Sequence, residues 1–191
     1  AETIAGMNLD KSCAFYKDRF ADASDFTFLF IGNLDPAVLR PLVERYLGSL
    51  PSLNRKETWR NVGINPPPGV VQKEVRKGTE PKSQTAVVFN GPFQFDQAHR
   101  TAIRALGLVL DTKLRELVRE ELSGTYGVMV RPTYSKIPDE EYSLMVNFGC
   151  DPARVDELTK AVFEEIDSLK TKGPSDKDVS DAREALFREY E

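Results

Sequence analysis

Histidine occurs once in these 191 residues, at His99, and cysteine twice, at Cys13 and Cys150. A protein zinc site gathers several His, Cys or carboxylate ligands. With no CxxC and no Cys/His cluster, this chain is expected to hold no metal. A disulfide between Cys13 and Cys150 needs a fold that brings them together; two buried free thiols is the plainer expectation. Positive charge is not in excess either. Lys and Arg number 26 against 30 Asp and Glu, giving a net charge of -4 and a pI near 5.3. That balance argues against a nucleic-acid partner, because nucleic-acid binders present a basic face. No apolar run reaches the ~20 residues that cross a bilayer, so no membrane span is expected.

What is present is an ordinary core-forming composition, 40% apolar. A single α+β domain over residues 1–191 is expected. Leu9, Cys13, Tyr16 and Phe20 fall on one helical stripe. Phe26–Ile31 is aromatic and β-branched on both faces, the pattern of a strand buried on both sides. Asp35 is a good N-cap with Pro36 in the first turn, and the helix after it turns Leu39, Leu42, Val43, Tyr46 and Leu50 inward. A polar linker over residues 52–69 ends in three prolines and carries Trp59, which is expected to cover the edge of a core. Strands are predicted near Val70–Arg76 and Gln84–Phe89, with Lys73, Arg76 and Lys77 as a solvated edge.

Asp96 caps a helix running to about Leu122. Its first half is apolar nearly all round, and Leu114, Leu117 and Val118 face inward in its second half. His99, beside that cap, reads as a surface or capping-turn histidine. A strand reaches roughly Arg131, and Tyr142–Phe148 alternates with the period of a half-buried antiparallel strand. Asp151-Pro152 opens the next helix, with Val155, Leu158, Val162, Ile166 and Leu169 at helical spacing. Ser175 with Asp178 reads as a capping box. The helix it starts reaches Glu191 without a stop signal, from which the domain is expected to be a piece of a longer chain. Strand pairs joined by short turns predict an α+β layer: a mixed or antiparallel sheet with helices packed on one face.

Chemistry is concentrated at Leu114–Tyr134, where a helix gives way at Ser123-Gly124 to a strand. Arg119 and Tyr126, seven residues apart, flank the junction. A rigid fork of N–H donors and an O–H on a stiff ring could together hold a carbonyl or an oxyanion. The plainer readings are a solvated charged face for Arg119, which lies among Glu116, Glu120 and Glu121, and an ordinary strand aromatic for Tyr126. Gly124 and Gly127 favour a role, since they let another backbone come close.

Residues 26–51, FTFLFIGNLDPAVLRPLVERYLGSLP, resemble the strand–turn–helix of the pitrilysin/insulinase family of zinc metallopeptidases. Residues 114–128, LRELVREELSGTYGV, resemble that family's helix-to-strand junction. The resemblance implies one half of a clamshell built from homologous halves with the fold of the mitochondrial-processing-peptidase-like metallohydrolases. The family's zinc motif, an inverted H-x-x-E-H, needs two histidines on one helix. The resemblance is therefore to the C-terminal, non-zinc-binding half, with no catalytic residue in this chain and zinc bound by the other half. That catalytic half, in the same chain or a separate subunit, and a peptide substrate are the implied partners. Tyr126 would hydrogen-bond the scissile carbonyl oxygen, and Arg119 would hold the peptide backbone. A scaffold that kept the fold and lost catalysis is the alternative. A bacterial, periplasmic setting is what the look of such relatives implies.

Overall fold

The computed structural model describes residues 4, 6–121, 123 and 125–189; for residues 119–121, 125 and 126 it describes the backbone alone. Two compact units divide the chain, Ala1–Arg60 and Asn61–Glu191.

The first unit contains helices α1 (Leu9–Arg19) and α2 (Pro36–Tyr46). Both starts follow from capping chemistry. Asn8 accepts a hydrogen bond from the Lys11 N–H, and Asp35 accepts one from the Ala37 N–H with Pro36 in the first turn. The helices form as predicted, but their apolar stripes are not buried. Tyr16 is 61% exposed and Phe20 56%, the two rings stacking at 4.5 Å. In α2, Leu39 and Val43 are half-buried, whereas Leu42 and Tyr46 are exposed, as is Leu50 beyond its end. Phe26–Ile31 is not a strand. It is extended, has no ladder partner among the described residues, and leaves Leu29 79% and Ile31 87% exposed. β-Propensity reports fit to a pleated, half-buried surface, and this segment has no such surface beside it. Trp59 is exposed as well and covers no core edge. Among the described residues, the one buried polar side chain of this unit is that of Asp22. Its carboxylate accepts N–H bonds from Ser24 (3.0 Å), Leu53 (2.8 Å) and Arg55 (2.6 Å) and so ties the loop after α2 to the turn after α1.

The second unit is a three-stranded antiparallel sheet with helices on one face. Its strands are β1 (Ser83–Pro92), β2 (Thr125–Ser135) and β3 (Glu141–Cys150), in the order β1-β3-β2. Val70–Arg76, predicted as a strand, is not one; Val75 there is 87% exposed. Helix α3 (Gln97–Leu114) continues into a π-helical turn, Arg115–Glu121. Helix α4 (Val155–Lys172) follows a 3-10 turn capped by Asp151 and ends at Gly173, whose positive φ of 75° suits glycine. Helix α5 (Asp176–Arg188) opens on the predicted capping box between Ser175 and Asp178.

Alternation decides which face of the sheet is packed. Leu144, Val146, Phe148 and Cys150 of β3 point to the helices and meet Leu110, Leu114 and Val118 from the α3 side and Leu158, Val162 and Ile166 from α4. Each such fully buried side chain stabilises the fold by about 1.5–3 kcal/mol. Cys150 lies in this core, while Cys13 is exposed on α1, and both are free thiols. The expectation of two buried thiols therefore fails at Cys13, because α1 buries no residue. On the helix side, α3, α4 and α5 border an apolar groove of about 1320 Å³. Among the described residues of this unit no helix packs on the opposite face, which carries Gln84, Asn90, Arg131, Thr133, Ser143 and Asn147 together with Val88, Met129 and Met145.

Candidate functional site

The Arg119–Tyr126 junction is built by what fixes α3 against β2. Asp96 caps α3: its carboxylate accepts from the His99 backbone N–H at 2.8 Å and faces His99 Nδ1 at 2.8 Å. The backbone N–H of His99, then its ring, hold the Asp96 carboxyl below its usual range. His99 is thus a capping-turn residue. Eight residues on, Gly107 lets the helix touch the sheet. A Cβ at this position would lie 2.7 Å from Pro132 Cγ on β2. One turn further, the Val130 N–H donates to Asp111 Oδ1 at 3.0 Å, and the Arg115 guanidinium pairs with the same carboxylate. Leu114 and Val118, both fully buried, then press the end of the helix onto the sheet.

Two irregularities follow. The helix widens into the π-turn Arg115–Glu121, which contains Arg119. Between helix and strand, Ser123 has a φ of 45°, rare for a residue with a Cβ. In β2, Thr125 pairs with Cys150 and Val128 with Phe148, so that Tyr126 and Gly127 together face Gly149. This is a β-bulge, an inserted residue that re-aims side chains. Single π-turns and bulges both concentrate at functional sites. Arg119 and Tyr126 therefore sit on the two irregular segments of the junction. The side chains of Arg119, Glu120, Glu121 and Tyr126, and residues 122 and 124, lie outside the described residues. Glu116 and Arg115 are exposed.

Sequence reasoning missed Asp111 and the bulge. A lone carboxylate inside the apolar run of α3, and a glycine inside a strand pattern, were the available signals. Zinc does not fit this chain's residues. Among the described residues, no three His, Cys, Asp or Glu side chains gather as ligands, and His99 is turned to Asp96.

The fold is that of an α+β domain, a three-stranded antiparallel sheet with helices on one face. The chain belongs to the Peptidase M16 inactive domain family, whose model matches residues 6–186. It is 30% identical, over 95% of its length, to an Arabidopsis thaliana protein named "Zinc protease PQQL-like", of which it covers 20%. The crystal structure of the periplasmic protease PqqL from Escherichia coli matches with a TM-score of 0.84 at 24% identity, over 98% of this chain and 21% of that one. A mutant of the ferredoxin protease FusC in complex with Arabidopsis ferredoxin matches with a TM-score of 0.60 at 20% identity, over 84% of this chain and 17% of that one. The chain spans about a fifth of the length of these relatives.

Proposed function

We propose that this chain is the substrate-gripping, non-catalytic part of a zinc endopeptidase of the pitrilysin/insulinase kind. It works as one domain, residues 1–191, of a longer protein that encloses polypeptides in a clamshell. The catalytic half, in the same chain or a separate subunit, binds the zinc. Tyr126 donates its O–H to the scissile carbonyl oxygen and to the oxyanion that forms there. Arg119 holds the peptide backbone beside it. The observation that carries this reading is the coincidence of π-turn and bulge at the two residues that match the family's Arg–Tyr spacing. The naming of a relative as a zinc protease and the ferredoxin-bound state of another support it. A periplasmic setting for the parent is supported by the periplasmic relative.

The test is peptide cleavage by the parent with Tyr126→Phe and Arg119→Ala. Loss of one oxyanion donor is expected to lower kcat by about 10²–10³-fold, with zinc content and Tm unchanged. Variants as active as wild type, or an inactive parent, would put a catalytically silent scaffold in its place.

A further inference from the structure

The outer edge of β2 is held to α3 at one polar point, Asp111. In the order β1-β3-β2, β2 is an edge strand of the sheet. The Val130 N–H points off that edge and donates to Asp111 Oδ1 at 3.0 Å. Two residues on, Pro132 has no N–H to offer and packs against Gly107. Helix α3 therefore covers this stretch of edge, and Asp111 supplies the acceptor that a neighbouring strand would otherwise give.

The residue type is costly at this place. Asp111 follows Leu108-Val109-Leu110 in the helix, and its side chain is 22% exposed. A carboxylate there gives up hydration and has a poor helix propensity. An amide would accept the Val130 N–H too; a carboxylate does so and also pairs by charge with the Arg115 guanidinium. Arg115 opens the π-turn that contains Arg119, and Val130 follows Tyr126 by four residues on β2. One side chain thus closes the base of the 116–129 segment, which carries both gripping residues. Arg115 fixes the carboxylate, the carboxylate fixes the strand, and the strand carries Tyr126.

We propose that Asp111 is a positioning residue for the Tyr126 hydroxyl. Through Val130 it sets the place of β2 against α3, and so the point at which Tyr126 meets the scissile carbonyl. The inference rests on the function proposed above. A residue away from the chemistry can act this way, since a misplacement of about 1 Å costs on the order of 10²-fold in rate. The plain alternative is a tie that serves folding alone. The two differ in coupling. A positioning residue loses its effect on rate once the group it positions is gone, whereas a folding tie slows every variant by the same factor.

The test is peptide cleavage by the parent protein with Asp111→Ala or Asp111→Asn, each alone and together with Tyr126→Phe. Tm and zinc content are measured alongside. With Tyr126 in place, Asp111→Ala is expected to lower kcat by about 10–10²-fold, with KM changed by less than about threefold. In the Tyr126→Phe protein the same substitution should cost less than about threefold. Asp111→Asn keeps an acceptor for Val130 and loses the charge pair. Its loss should be smaller than that of Asp111→Ala and should likewise vanish in the Tyr126→Phe protein. Where Asp111→Ala does not fold, Asp111→Asn carries the comparison. Equal losses with and without the Tyr126 hydroxyl overturn the positioning role and leave the gripping function standing. So do Asp111 variants as fast as wild type while Tyr126→Phe is slow. A Tyr126→Phe protein as fast as wild type, or a parent without cleavage, overturns both.

Discussion

At the scale of single residues, the strongest polar commitment in the first unit is Asp22. Burial pushes its carboxyl up, but N–H bonds from Leu53, Arg55 and Ser24 outweigh that and hold it far below the usual carboxylate range. A carboxyl lowered on folding stabilises the folded state above its unfolded pKa of about 3.9 and loses that contribution as pH falls through the folded value. The first unit is therefore expected to lose stability progressively below about pH 4, and Asp22→Ala to remove that pH dependence while lowering the neutral-pH Tm by several degrees. Thermal melts of both proteins between neutral and strongly acidic pH check this; parallel pH profiles would refute it. Asp22 gave no sequence signal, since its three donors come from two separate loops.

At the scale of elements, α3 is what delivers Arg119 to β2, and Gly107 is the point of closest approach. Gly107→Val is expected to push α3 off Pro132 and to destabilise the protein by about 1–3 kcal/mol, the range for overpacking a tight contact. The same movement should weaken the Asp111–Val130 bond and loosen the junction, so kcat/KM of the parent should fall even where the variant stays folded. Denaturant titration and peptide cleavage measure the two effects, and a variant with wild-type stability would show that the contact is not needed. Elements whose signal is local were legible: the caps at Asp35, Asp96, Asp151 and Ser175, and the alternation of Tyr142–Phe148. Phe26–Ile31 and Val70–Arg76 were not, because a strand exists only where a neighbour pairs with it. The same apolar, β-branched sequence without a partner remains extended and exposed.

At the scale of the whole molecule, the division of labour rests on ligand supply. The chain has one histidine, which faces the Asp96 cap, and among the described residues no three His, Cys, Asp or Glu side chains gather as metal ligands. The parent protein is expected to carry stoichiometric zinc and the isolated 191-residue chain none. Metal analysis after dialysis decides this, and stoichiometric zinc in the isolated chain would sink the proposed role. The sequence by itself determined the fold class, the helix starts, the packed face of β3 and the poverty of metal ligands. Each follows from residue type and short-range spacing, which tertiary contacts do not alter. Only the tertiary structure decided that Tyr126 and Gly127 form a bulge opposite Gly149 and that Asp111 ties α3 to β2. These depend on which residue of a distant strand stands opposite, and register across strands is set by the packing of the whole sheet.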